Sequence, residues 1–447
     1  MKPVESRYSG AVPLLTPEHR GERITPHLDV QTGGLELLDS LADEWRELLQ
    51  EVSADDLYSR PEWVLAHLRA YSPKAKIIVL TLRQHGALRG ILPLVLEKGT
   101  FGGLPAQKLR MPLSMPGASN ELVIAPDMNQ ETALHAMWDG LKSFSGWHVL
   151  ELPSVYENTV MEHMSQLAQS EGYHTGQWAL TPIPWLTLAE RDIEKLPPSS
   201  TLRSRLRQGE RRLNELGQLS LRKFETADPA VLQRFYELEA SGWKGQAKSA
   251  ILCDPRSHQF FNYVARESEA FHYLMFYFLE LDGKVISAHF GMNYRGRYYA
   301  PKIAYDENYR QYRVGHLILS KILRDCDKQA ISEYPMGVLE EWKAEWTKDA
   351  RTRTFQCIFN NGLWAHVLFA TRFRIKPGLK KLIRSSHTEG GSIAFASPWG
   401  RTWGNLRCLG ADRGANRTSD ENLFTLREQG DGCIVRAVFE VKKEIPV

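Results

Sequence analysis

At 447 residues the chain is long enough for two or three domains, and its 43% hydrophobic and 24% charged content is that of a globular protein rather than a disordered one. A net charge of +3 argues against coating nucleic acid by bulk electrostatics, so no DNA partner is expected. The five cysteines lack C-x-x-C spacing, no zinc motif such as H-E-x-x-H occurs, and no apolar run approaches the roughly 18 residues of a membrane span, so free thiols, no metal, no span and a cytoplasmic setting are expected.

Residues 1–25 are polar and proline-dotted, without an apolar signal core, and read as a disordered tail. A helix is then expected around Leu41–Leu49 and a second from Pro61 with Trp63. The strand Lys76–Arg83, a turn at His85-Gly86 and the strand Leu88–Leu96 follow. The second half repeats this order. A helix around Val231–Leu238 precedes another near Pro255 with Phe260 and Phe261, then the strand Tyr273–Leu281, a turn at Asp282-Gly283 and the strand Lys284–Asn293. Trp63 and Phe260 stand at the same offset as Gly86 and Gly283, so the whole order repeats in register, which points to duplication of one αβ unit. Prolines 182, 184, 197 and 198 mark the boundary between Trp185 and Pro198. The division expected is therefore 26–190, 191–385 and an irregular tail over 386–447, with Leu35–Trp185 folding like Thr201–Phe373 and the two sheets adjacent.

Within the second half, Thr201–Leu213 places Arg203, Arg207 and Arg211 on one helical face and Leu202, Leu206 and Leu213 on another; such a face holds phosphate or acidic polymer, or is simply solvated. Next, Glu239-Ala-Ser-Gly-Trp-Lys-Gly ends a helix at Gly242 and presents Trp243 and Lys244 in a glycine-rich loop, a candidate substrate-binding element. His289, among Ile286, Ser287, Ala288 and Phe290, is a candidate general base if it faces a cleft and a core histidine otherwise.

The strand Tyr298–Ala304 then runs through Tyr305-Asp306 and Arg310-Gln-Tyr-Arg313-Val314-Gly315-His316 into a helix whose apolar positions are Leu319, Ile322, Leu323, Cys326 and Ala330. A helix opening there has backbone N–H groups without acceptors and partial positive charge, and two arginines beside it make an anion site suited to phosphate. Subtracting the repeat offset leads to Met115-Pro-Gly-Ala, which has the glycine and no nearby arginine, so only the second half keeps the charged site. After a short strand at Ile331–Tyr334, Gly337-Val-Leu-Glu340-Glu-Trp-Lys343-Ala-Glu-Trp-Thr is expected to enter a helix.

This order, from the arginine-rich helix through Glu239–Gly245, Tyr312-Arg-Val-Gly315 and Glu340-Glu-Trp-Lys-Ala-Glu-Trp346, resembles the CelD-like acyltransferases of the GNAT superfamily, relatives of the Fem peptidoglycan transferases. The resemblance covers about Thr201–Lys348 and, more weakly, Leu35–Trp185. It implies an α/β fold of two tandem GNAT-like units with mixed sheets flanked by helices. It also implies transfer of an acetyl or acyl group from acyl-CoA to an amine or hydroxyl, such as one on a polysaccharide or cell-envelope precursor. The superfamily's phosphate turn, Gln/Arg-x-x-Gly-x-Gly/Ala, is matched at Arg310 and Gly315, while Arg313 replaces the middle glycine. By this resemblance Arg310, Arg313, Val314, Gly315, His316 and Tyr305 bind the donor, Trp243, Lys244 and Lys343 bind substrate, and Glu340, His289 or Asp306 supplies the base. Two rival readings are a catalytically silent binding module and an aminoacyl-tRNA-dependent ligase, in which the arginines at 203–212 grip tRNA.

Overall fold

The computed structural model describes residues 27–375 apart from 53–55, 113–117, 119–120, 190 and 339. The first half runs β1 (His27–Gly33), α1 (Leu35–Glu51), α2 (Pro61–Tyr71), β2 (Lys76–Gln84), β3 (Ala87–Phe101), β4 (Leu104–Arg110), β5 (Val123–Ile124), α3 (Gln130–Ser143), β6 (Val149–Tyr156), α4 (Val160–Ser170) and β7 (Thr175–Thr187). The second runs α5 (Ser200–Leu216), β8 (Leu219–Phe224), α6 (Pro229–Ser241), α7 (Trp243–Gln246), α8 (Pro255–Ala270), β9 (Phe276–Leu281), β10 (Lys284–Tyr294), β11 (Arg297–Tyr305), α9 (Val314–Lys328), β12 (Glu333–Pro335), β13 (Ala350–Phe359) and α10 (Leu363–Phe369).

The two halves use the same local devices. Pro61 and Pro255 open α2 and α8, where a missing N–H costs no helical hydrogen bond. The hairpins β2–β3 and β9–β10 both turn through two left-handed residues, His85-Gly86 (φ 53° and 82°) and Asp282-Gly283 (φ 49° and 80°). That pairing of positive angles matches the right-handed strand twist. Alternation along the strands then divides the side chains between two faces: on β9, Phe276 and Phe278 join one core, whereas Tyr277 and Leu279 join another.

The first of these cores is common to both halves, because α1, α2, α6 and α8 all bury their apolar sides in it. Trp63 and Phe260, equivalent in the sequence repeat, meet there edge-to-face at 5.7 Å between ring centres, both almost fully buried. On the opposite side, α3 and α4 cover the first half and α5 and α9 the second.

The sheet is mixed and continuous, in the order β1-β2-β3-β4-β6-β13-β7-β12-β11-β10-β9-β8, with β5 beside β3. Strand β13 comes from the far end of the described chain yet lies between β6 and β7, pairing Phe359 with Val149 and Ala350 with Pro184. Strand β7 in turn pairs with β12 from Thr187 to Trp185. The halves therefore exchange strands across the proline-marked boundary, a long-range pairing that no local sequence signal specifies.

Several local expectations change. The strand expected from Tyr273 begins at Phe276, with one isolated bridge at Leu274, and the strand expected at 331–334 shortens to Glu333–Pro335. The segment after Gly337 forms a single short 3₁₀ helix, Glu341–Glu345, in place of an α-helix. The expected tails, 1–25 and 386–447, and Met115-Pro-Gly lie outside the described residues.

Candidate functional site

Strands β11 and β12 run parallel but pair at one position, Arg297 with Glu333. Beyond it β11 continues to Tyr305 alongside β10, while β12 turns to β7, so the sheet opens between them. Tyr305 ends β11, and Glu340 follows β12 in the chain.

On the face carrying α9, Asp306 caps a 3₁₀ turn, Glu307–Tyr312, by accepting from Asn308 N–H at 3.0 Å. Arg313 follows in the left-handed region (φ 56°, ψ 41°) and serves as N-cap of α9. A glycine would hold this conformation freely; a residue with a Cβ holds it at a cost of roughly 1–2 kcal/mol. The backbone keeps the turn even with arginine. Arg313→Gly is accordingly expected to raise stability by about 1 kcal/mol in urea unfolding while weakening anion binding through loss of the charge. A destabilised variant would contradict this account of the turn.

Gly315 stands in the first turn of α9 and points into open space: an added Cβ would meet only Tyr305 Cδ1, at 3.8 Å. The backbone N–H groups of Val314, Gly315 and His316 precede the first helical bond, which Leu317 N–H donates to Arg313 O at 2.9 Å. Arg310 is exposed and Arg313 half-buried, and among the described residues neither forms an ion pair. Val314 contributes its backbone alone, since its side chain is fully buried. Helix α5 presses against this turn, and Gly209 leaves room for the Tyr312 carbonyl, which a Cβ would approach to 2.5 Å.

His316 takes a different place from a charged phosphate ligand. Its Nδ1 accepts from Trp346 Nε1–H at 3.1 Å, its ring stacks on Trp346, and Nε2 lies 3.6 Å from the Glu345 carboxylate. Burial pulls its pKa below the ordinary value against the pull of Glu345. The neutral ring thus ties the start of α9 to the 3₁₀ segment, and only its backbone N–H faces the anion site's chemistry.

At the other face, α6 ends at Gly242 and the chain enters the one-turn helix α7, not an open loop. Trp243 is half-buried and its backbone N–H donates to Glu307 Oε1 at 2.9 Å. Lys244 extends inward: its Nζ donates to the Ile303 carbonyl at 2.8 Å and to Glu239 Oε1 at 3.2 Å. Lys302 approaches the same carboxylate at 3.4 Å. Desolvation would lift the Glu239 pKa, but the two lysines and the Ile251 N–H hold it below the usual value. Desolvation lowers the Lys244 pKa, opposed mainly by Glu239 and also by Glu340. Lys302 and the role of Glu239 were missed from sequence, although a Pro-Lys step inside an otherwise apolar strand was a signal.

Glu340 flanks the opening on the β12 side, its side chain 37% exposed and 3.9 Å from Lys343 Nζ. Trp342 Nε1–H donates to it. Lys343 is buried, donates to the Val338 carbonyl at 2.5 Å, and has its pKa lowered by burial. It therefore holds the Val338 carbonyl, two residues before Glu340. The influence of Glu340 on Lys244 shows that the two flanks of the opening converge electrostatically.

Two expected bases are placed elsewhere. His289 is 2% exposed within β10, its Nδ1 lies 3.3 Å from the Tyr298 hydroxyl, and burial pushes its pKa down to about 3. It is a core histidine and faces no cleft. Asp306 is buried; desolvation is outweighed by an ion pair with Lys284 at 2.8 Å and by the Asn308 N–H, which bring its pKa below the usual value, and its oxygens are engaged in capping. Cys253, Cys326 and Cys357 are free thiols, and no cluster of metal-ligating side chains occurs among the described residues.

Residues 200–346 match a family model described as an acetyltransferase (GNAT) domain. Among solved structures, FemX aligns with 76% of this chain and 100% of its own at 12% identity and a TM-score of 0.51. A tandem GNAT protein from the clavulanic acid biosynthesis pathway aligns with 74% of this chain and 98% of its own at 14% identity, TM-score 0.40. The C-terminal domain of a putative lysylphosphatidylglycerol synthetase from Agrobacterium fabrum aligns with 74% and 95% at 9% identity, TM-score 0.46. No curated protein matches in sequence. At such identities the FemX likeness establishes the fold alone. The open strand pair and the turn into α9 both fall within residues 200–346, the stretch that matches the acetyltransferase (GNAT) domain model, in a chain of mixed α/β fold.

Proposed function

We propose that the chain transfers an acyl group from acyl-CoA to an amine or hydroxyl, in the manner of the CelD-like acyltransferases, with a sugar or cell-envelope precursor as acceptor. The carrying observation is the start of α9, where the N–H groups of Val314, Gly315 and His316 precede the first helical bond, Gly315 leaves open space, and Arg310 and Arg313 form no ion pair among the described residues. Donor phosphates fit the helix start and its arginines. The acyl thioester reaches along β11, whose Ile303 carbonyl Lys244 already engages. Glu340 is the base of this reading, taking the proton from the acceptor nucleophile as it attacks the thioester carbonyl. Expulsion of the thiolate completes the transfer. We also assign units to 26–190 and 191–385, with β13 returned from the second to the first.

The test is calorimetric titration of acetyl-CoA. Arg310→Ala and Arg313→Ala are each expected to weaken binding by about 1.5–3 kcal/mol, the scale of a charge-assisted hydrogen bond, without loss of the folded transition. Absence of binding in the wild type, with no acylation of an amine library, would favour a silent binding module. One observation favours an aminoacyl-tRNA ligase instead: Arg205, Arg207 and Arg212 are exposed on α5, which packs against the donor turn. Strongly salt-dependent tRNA binding, reduced by removing these arginines, would select it.

A further inference from the structure

The described residues expose seven large apolar side chains, and four of them, Leu363 (89%), Trp364 (41%), Val367 (42%) and Ile375 (53%), belong to α10 and the turn after it. Helix α10 buries Ala365 and Leu368 against β13, and among the described residues nothing covers Leu363 on its other side. Concentration of exposed apolar area in one short segment marks an interaction surface rather than scatter. Two arginines border it: Arg372 lies over the Trp178 ring and Arg374 over Phe369, so both guanidinium groups rest on aromatic faces. No Asp or Glu occurs in the sequence from 350 to 375. A tryptophan held at the boundary by its Nε1–H bond to the Pro105 carbonyl, at 2.8 Å, completes the set.

We propose that this surface docks the protein on an anionic lipid bilayer. Exposed Leu, Trp and Val side chains enter the headgroup boundary, and the adjoining Arg372 and Arg374 are drawn to the negative surface. A second protein copy is disfavoured as occupant, because it would bring these arginines against their own counterparts. A soluble acidic partner would need no large aliphatic side chain as exposed as Leu363. The association is peripheral, since no helix among the described residues is long and apolar enough to cross a membrane.

The experiment is cosedimentation of the full chain with vesicles of phosphatidylcholine alone or mixed with phosphatidylglycerol. Binding is expected to the anionic vesicles only and to fall as salt is raised. Leu363→Ser/Val367→Ser and Arg372→Ala/Arg374→Ala are each expected to weaken it about tenfold or more, whereas Leu216→Ser, at an exposed position elsewhere, should not. Failure of the wild type to bind anionic vesicles, or undiminished binding by both double variants, would overturn the proposal. If Leu363→Ser/Val367→Ser instead dissolved a dimer or lowered the melting temperature with vesicle binding unchanged, another copy or another part of this chain would be the occupant.

Discussion

Replacement of Gly315 by glutamate is expected to abolish donor binding while leaving the melting transition in place. The two effects separate because of where the side chain would go. A Cβ at this position meets nothing nearer than Tyr305 Cδ1 at 3.8 Å, so the fold has room for it. A carboxylate in the first turn of a helix is also favoured by the dipole. The same space is where a donor phosphate approaches the N–H groups of Val314–His316, and a carboxylate there both fills it and repels the anion. Gly315→Ala sharpens the contrast: it should stabilise α9 by up to about 1 kcal/mol and still weaken donor binding. The decisive measurement is acetyl-CoA titration of both variants beside thermal unfolding. Wild-type affinity in Gly315→Glu would sink the phosphate-site reading, and a collapsed melting temperature would recast the residue as structural.

Glu340→Gln is expected to slow acyl transfer by about 100- to 10,000-fold with little change in donor affinity. The substitution preserves shape and still offers Trp342 Nε1–H an oxygen, so the packing of Trp342 and Lys343 behind it is retained. What is lost is the carboxylate that takes a proton in the transition state. Single-turnover rates compared with the donor dissociation constant separate the two. An unchanged rate would assign the proton to water, because burial leaves His289 without access to an acceptor and Asp306 is engaged by Lys284 and Asn308.

Local signals were sufficient wherever the chemistry is local. Period-two and helical patterns, the prolines at 61 and 255 and the turns at His85-Gly86 and Asp282-Gly283 fixed the repeated helix–helix–hairpin units, and those units are present in the structure. The run from Tyr305 to His316 was equally readable, because a strand end, a cap and a helix start follow one another in sequence and their unsatisfied N–H groups are a property of the segment itself.

Pairings distant in sequence were not readable. Nothing in Ala350–Phe359 says that it enters the sheet between β6 and β7, since a buried strand has the same apolar pattern beside any neighbour. Burial likewise decided among the candidate bases: His289 lies within a strand and Glu340 follows one, which does not rank them, but packing against Tyr298 removes the first from solvent, while the Glu340 side chain is 37% exposed. The Glu239–Lys244–Lys302 cluster joins the end of one helix, the next turn and a strand, and its shifted charges arise from desolvation, a quantity set only when the tertiary structure closes around them. The sequence by itself determined the repeated elements and the strand–turn–helix run from Tyr305 to His316; the tertiary structure decided which strands share the sheet, which titratable groups keep contact with water, and which charges must be held by one another.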